Sequence, residues 1–300
     1  MYPPEFEYVA VGAWEEAVTV LSDLADEDPR VLAGGQSLVP MMNLGLAGPT
    51  HVVDLNAIAG GQIRADGDAI VIPALTRHET LARSALAQQS APLLAEAASL
   101  IGNLRVRHRG TIGGSLAHAD PSAELPAALL ASGGEVVTAG TDGGRAIAAD
   151  EFFLGFYETA LRPAELIREI RVPSATPGSG SAFVEFVRRS GDFAVVGIAA
   201  DVLLEPASGL CLGATLVACG VGDRPVALHD AASLLLGTEP EAIIDSVAER
   251  AAELVDPHGG GGVSASYRRH LVGVLARRAL ERALERALEG AAERAREARS

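Results

Sequence analysis

This chain of 300 residues has only two cysteines, and no apolar run reaches the roughly 20 positions that span a bilayer without meeting glycine, polar residues or charge. Its 24 basic residues face 39 acidic ones. The resulting formal net charge of −15 repels nucleic-acid phosphates and anionic membrane surfaces, which removes both from the expected partners. Cys211 and Cys219 lie in one apolar run; in an extended strand their even spacing puts both on one face, about 27 Å apart and too far to bridge. Both read as buried apolar side chains, and two thiolates so placed cannot supply the four that an iron–sulfur cluster takes. The seven histidines include no His-Glu-x-x-His or comparable metal spacing. Also absent are a Gly-x-Gly-x-x-Gly turn after the first strand, a Gly-Lys-Ser/Thr phosphate loop and a Gly-x-Ser-x-Gly elbow. Gly220-Val221-Gly222 lacks the third glycine and reads as a turn, so redox chemistry here requires an organic cofactor bound in another way. The first residues, Met1-Tyr2-Pro3-Pro4-Glu5, show no basic segment leading into an apolar one, and the expected location is cytoplasmic.

Against these absences stand two short glycine stretches. Ala33-Gly34-Gly35-Gln36-Ser37-Leu38 and Thr111-Ile112-Gly113-Gly114-Ser115-Leu116 each hold a Gly-Gly pair beside hydroxyl residues. Glycine allows positive φ and close backbone approach, so consecutive N–H groups can converge on an anion, with Ser37, Thr111 and Ser115 adding hydroxyls. Either stretch alone is also what a tight turn looks like. Together they point to one phosphate-rich ligand held between two loops. The basic cluster Arg105-Val106-Arg107-His108-Arg109, just before the second loop, is a candidate for neutralising a diphosphate or an ordinary solvated face.

A length of 300 residues with 48% hydrophobic content suffices for two cores. Apolar periodicity predicts a helix over 13–25, strands at 31–33 and 50–55, and a hairpin of strands 62–65 and 69–72 joined through Asp66-Gly67-Asp68. Helices follow at 77–87 and 92–101, then strands at 135–138, 145–148 and 165–172. Residues 173–181, small and polar with proline and glycine, read as a linker. Beyond it an antiparallel meander is expected at 182–188, 194–204 and 210–221, with helices at 229–237, 239–255 and 264–298. The expected domains are 1–173, divided into subdomains of about 1–56 and 57–173, then 181–290, with a helical tail at 291–300.

The two loops, the segment Ala117-His118-Ala119-Asp120-Pro121-Ser122-Ala123-Glu124-Leu125-Pro126 and the segment Arg189-Ser190-Gly191-Asp192-Phe193-Ala194 occur in the order of one known family. With Ser266-Tyr267-Arg268-Arg269-His270-Leu271 near the end, they resemble the FAD-binding medium subunit of the molybdenum hydroxylases, the xanthine dehydrogenase and aerobic carbon monoxide dehydrogenase family. The resemblance covers nearly the whole chain. It implies an α+β fold: a two-subdomain FAD-binding domain of the vanillyl-alcohol oxidase (PCMH) type, followed by a C-terminal domain with a three-stranded antiparallel sheet and helices. It further implies an oxidoreductase subunit that binds FAD and passes electrons from a partner iron–sulfur subunit to an external acceptor. Molybdopterin and [2Fe-2S] clusters would sit on a large and a small partner chain, in a dimer of heterotrimers.

Carried over by position, the FAD contacts are Ala33, Gly34, Gly35, Gln36, Ser37 and Leu38 in the first loop, and Thr111, Ile112, Gly113, Gly114 and Ser115 in the second. Glu124 would reach FAD hydroxyls, Ile167 would touch the cofactor by its backbone, Asp192 would fix its loop and Phe193 would neighbour the isoalloxazine. No catalytic acid–base residue and no metal ligand is expected. Glu185 departs from the pattern, because many relatives carry a lysine near this position. The four-cysteine insertion of the benzoyl-CoA reductase branch is missing. His108 and His118 are expected to bond backbone rather than act as acid or base. Two rival functions remain at this stage: a stand-alone flavin oxidase or dehydrogenase of the vanillyl-alcohol oxidase class, and an assembly subunit that has lost FAD.

Overall fold

The computed structural model describes residues 3–297, with side chains described through Gly290. At the N-terminal end, β1 (Glu7–Ala10), α1 (Trp14–Asp23), β2 (Pro29–Leu32), α2 (Leu38–Leu44) and β3 (His51–Asp54) form a three-stranded parallel sheet in the order β1-β3-β2. Parallel strands require crossovers: α2 connects the neighbours β2 and β3, and α1, which connects β1 to β2, lays Ala17, Val18 and Leu21 against the sheet.

The next unit runs through β4 (Arg64–Asp66), β5 (Ala69–Pro73) and the helices α3 (His78–Arg83), α4 (Ala85–Ser90), α5 (Pro92–Leu100), α6 (Leu104–Arg109), α7 (Ile112–His118) and α8 (Glu124–Ala131). It closes with β6 (Glu135–Ala139), β7 (Ala146–Ala148), the turn α9 (Ala149–Phe152), a hairpin of β8 (Phe153–Gly155) and β9 (Glu158–Thr159), and β10 (Leu166–Pro173). The antiparallel sheet has the order β4-β5-β10-β6-β7. The single helix predicted over 77–87 is two, because Ser84 adopts an extended conformation and its hydroxyl accepts from the Ala87 N–H at 3.2 Å, capping α4.

The last unit holds β11 (Ser179–Phe186), β12 (Val196–Leu204), β13 (Cys211–Cys219) and the two-residue edge strand β14 (Val226–Ala227), in sequential antiparallel order. Behind this sheet lie α10 (His229–Ala232), α11 (Ile244–Glu253) and α12 (Ala265–Glu297). Residues 298–300, the end of the predicted tail, lie outside the described residues. Ser179, Gly180 and Ser181 belong to β11 rather than to the linker. A Cβ on Gly180 would strike the backbone of Ala283 and Ala287, so only glycine lets α12 lie directly on the strand.

Strand alternation divides the core. On β12, Val196, Ile198, Ala200 and Val202 face α11 and α12, while Ala199 faces α5 and α8 with Phe183, Val217 and Cys219. That second cluster is continuous with α5, α8 and the inner face of β5 and β10, so apolar packing joins the last unit to the middle one. Leu125 and Leu129 of α8 are fully buried in this seam, each contributing roughly 1.5–3 kcal/mol. The two cysteines do not share a face as their spacing predicts. Leu203 pairs with Gly213 but Leu204 with Cys211, so Leu212 is an extra residue, and this bulge puts Cys211 in the α12-side cluster and Cys219 in the α8-side cluster. Both thiols are free and buried.

Candidate functional site

The first glycine loop leaves the C-terminal end of β2 and turns into α2. Gly35 has φ +71°, the left-handed region that glycine reaches without strain. Among the described residues, no acceptor is bonded to the N–H groups of Gly34, Gly35, Gln36, Ser37 or Leu38. Consecutive amides left this way are a ready anion site. A cavity of about 340 Å³ lies over them, lined by Leu32, Gly34, Gly35, Gln36, Val39, Pro40 and Arg109.

The second loop is wound into the start of α7 rather than lying ahead of it. Thr111 is the N-cap, its hydroxyl accepting from the Gly114 N–H at 3.1 Å. The Ile112 and Gly113 amides are already bonded, to Thr76 O at 3.1 Å and Ala74 O at 2.8 Å. Gly113 therefore serves packing: a Cβ there would lie 2.6 Å from Ala74 Cβ. Thr111 is buried and its hydroxyl is used as the cap, so what this loop offers a ligand is the half-buried Ser115 and Gly114.

The two loops touch. A Cβ on Gly34 would lie 2.5 Å from Arg109 O and 2.6 Å from Gly110 Cα, so the backbones meet with no room for a side chain. A polar network behind them fixes the contact. Asn56 Nδ2 donates to Ala33 O at 2.8 Å, and Asn56 Oδ1 accepts from Arg77 Nη2 at 2.6 Å. Arg77 Nη1 donates to Arg109 O, and Tyr8 donates to Asp54, which in turn accepts from Asn56 N at 2.8 Å. Burial alone would raise the Asp54 carboxyl, but the bonds from Tyr8 and Asn56 outweigh it and hold it below the usual carboxylate range. Gly110 packs in turn on His78, whose imidazole is buried and pushed down to about 4 by desolvation, then by Arg77 and Arg107, leaving it neutral.

The basic cluster divides. Arg107 donates to Glu79 at 2.9 Å and to Ile101 O at 3.2 Å, a structural tie, whereas Arg109 lines the cavity at the first loop. Since the chain contains no lysine, arginine and backbone are its means of holding an anion.

Glu124 opens α8 and is only 3% exposed. Burial, aided by Glu185 and Asp120, pushes its carboxyl up to about 8, so at neutral pH it is a protonated acid able to donate as well as accept. Glu185, on β11, is likewise raised by burial to about 7. His118 is lowered by burial and packs its ring 4.9 Å from Tyr157, which donates to Asp120 at 3.0 Å. Phe193 is 59% exposed, so it is not core. Its turn sits on the start of α6, where a Cβ on Gly191 would meet Gly102 C at 3.4 Å and Asn103 N at 3.7 Å. The Asp192 N–H donates to Arg189 O at 3.0 Å, closing that turn. Ile167, on β10, pairs with Thr138 of β6 and buries its side chain in the core, one residue before a bulge at Arg168. The structure thus brings the two loops together and sets the Phe193 turn at the far end of α6. Tyr8, Asp54, Asn56, Arg77 and His78 were not signalled by any motif.

A second, larger cleft of about 760 Å³ between α1 and the β6–β7 hairpin shares no residue with either loop. No cluster of metal-ligating side chains occurs among the described residues.

Residues 4–175 match the family described as the FAD binding domain in molybdopterin dehydrogenase, and residues 181–283 match the CO dehydrogenase flavoprotein C-terminal domain. The chain is 40% identical, over 93% of its length and 95% of the relative's, to the 6-hydroxypseudooxynicotine dehydrogenase complex subunit alpha of Paenarthrobacter nicotinovorans. It is 37% identical to the carbon monoxide dehydrogenase medium chain of Hydrogenophaga pseudoflava, over 93% and 97% of the two chains. A solved structure of carbon monoxide dehydrogenase from that organism superimposes with a TM-score of 0.91 at 38% identity, covering 95% of this chain and 99% of the other.

Proposed function

Because the chain belongs to the molybdopterin dehydrogenase family of FAD-binding flavoproteins, we propose that it serves as the medium, electron-transferring subunit of a molybdenum hydroxylase complex. The observation that carries the cofactor assignment to particular residues is the run of unpartnered amides from Gly34 to Leu38, pressed against Arg109 and Gly110. A diphosphate fits there because the donors are backbone groups fixed before it arrives, so little ordering accompanies binding.

Bound FAD supplies reversible two-electron redox chemistry. The chain's own residues hold it in place. Gly34, Gly35, Gln36, Ser37 and Leu38, following Ala33, donate to the diphosphate; Ser115 adds its hydroxyl; Thr111, as the cap of α7, with Ile112, Gly113 and Gly114 shapes the second wall. Glu124, neutral in its buried setting, bonds the hydroxyl-bearing chain, and the backbone near Ile167 lies behind it. Phe193, with its turn closed at Asp192, presents an aromatic face to the ring. α6 spans about 9 Å between the Arg109 contact with the first loop and the Asn103 contact with the Phe193 turn. No side chain needs to move a proton.

Electrons arrive from an iron–sulfur partner, and the oxidised substrate is chosen on a molybdenum-bearing chain; a dimer of such heterotrimers is the proposed assembly. The proposed domains are 1–173, with subdomains of about 1–56 and 57–173, then 181–290, and a tail at 291–300. No helix among the described residues is long and apolar enough to cross a membrane; the proposed location is cytoplasmic. The test is reduction of the flavin with and without partners. The isolated chain loaded with FAD should not be bleached by any substrate of the complex, while the assembled complex should be; bleaching of the isolated chain would contradict the proposal.

A further inference from the structure

One arginine outside the cradle joins the turn that carries Phe193 to the turn at Gly220. In the first turn of α12, Arg268 Nη1 donates to Val195 O at 2.5 Å and to Gly220 O at 2.8 Å. Val195 closes the connection that carries Gly191, Asp192 and Phe193, its N–H donating to Phe186 O at 2.8 Å. Gly220, at the end of β13, has φ +76°, and its N–H donates to Pro121 O at 2.8 Å, in the segment leading to Glu124. A Cβ on Gly220 would lie 2.5 Å from Val195 O, so the two backbones are already in contact where the guanidinium bonds both.

Arg268 has no carboxylate partner among the described residues, and its Nε is buried without an acceptor. The neighbouring Arg188 is directed elsewhere, donating to Gly261 O at 2.6 Å. A guanidinium used only on main-chain carbonyls fixes geometry rather than charge.

We infer that Arg268 is a positioning residue for the flavin: through Val195 O and Gly220 O it sets the Phe193 turn at a fixed distance from the Pro121–Glu124 segment. This rests on the proposed place of Phe193 beside the ring. Both bonds come from the one nitrogen Nη1; a lysine ammonium lies one bond nearer the backbone on a freely rotating stem and cannot hold that position, and methionine can bond neither.

The test compares Arg268→Lys, Arg268→Met and Phe193→Ala in the assembled complex, reading FAD content, flavin midpoint potential and visible-region circular dichroism. The expected result is FAD content like wild type in both Arg268 variants, since the cradle is untouched. Potential and dichroism should shift in the direction given by Phe193→Ala, more for Met than for Lys. Should Met fail to assemble, the Lys variant carries the test alone. If Phe193→Ala changes both signals and the Arg268 variants change neither, Arg268 is merely structural and the inference is overturned while the proposed ring site stands. If Phe193→Ala changes neither signal, the ring lies elsewhere and both fall together.

Discussion

Substituting Gly34 by alanine probes the contact between the loops at a single atom. The new Cβ would lie 2.5 Å from Arg109 O, 2.6 Å from Gly110 Cα and 3.0 Å from Arg109 C. A carbon and an oxygen ordinarily approach to about 3.3–3.6 Å, so the loops must part by roughly 1 Å. The obstacle is backbone on both sides and cannot rotate away. An amide held about 2.9 Å from a phosphate oxygen passes out of hydrogen-bond range when displaced this far. Loss of about two charge-assisted bonds, at roughly 1.5–3 kcal/mol each, weakens FAD binding by about two to four orders of magnitude. Titration of the apoprotein with FAD, followed by flavin fluorescence, measures it, with far-ultraviolet circular dichroism checking that the chain remains folded. Gly60→Ala is the control, because its Cβ would meet nothing nearer than Leu75 Cβ at 3.8 Å. A folded Gly34→Ala chain that binds FAD as tightly as the control would refute the reasoning.

Three other outcomes follow from the same geometry. Gly113→Ala, whose Cβ would press on Ala74, should lower stability by about 1–3 kcal/mol through overpacking; urea denaturation of the apoprotein reads it. Glu124 has its folded pKa raised from 4.5 to about 8, so its contribution is fully present below the unfolded value and is lost as pH rises through about 8. Thermal unfolding of the apoprotein between pH 5 and 9 should accordingly show Glu124→Gln gaining on wild type as pH rises, and parallel curves would count against it. Glu96 on α5 accepts from Arg286 at 2.7 and 3.0 Å, from Arg282 at 2.5 Å and from the Phe183 N–H at 3.0 Å, clasping α5 to β11 and α12. Because both arginines are partly exposed, Glu96→Gln should cost on the order of 2 kcal/mol, and a midpoint unchanged in denaturant would remove the clasp from the account.

The parts of this fold that sequence made legible are those fixed by local rules. Alternation revealed β11 to β13, and the glycine pairs with their hydroxyl neighbours marked both loops. Where the outcome depended on a distant partner, the sequence was silent. Arg107 turns to Glu79, 28 residues earlier, and Arg77 joins Asn56 to Arg109 across separations of 21 and 32 residues. None of these pairs has a spacing that local structure would produce. α7 was hidden because its two glycines argue against a helix, and only the Thr111 cap and the bonds to Ala74 and Thr76 stabilise one there. Cys211 turned to the other face through a one-residue bulge, which period-two reasoning cannot register.

The most direct measurement is the structure of the chain with FAD bound. Diphosphate oxygens should lie about 2.7–3.2 Å from the amides between Gly34 and Leu38, with Phe193 against the ring. A diphosphate bound away from those amides, in the cleft beside α1 or anywhere else, would contradict the account.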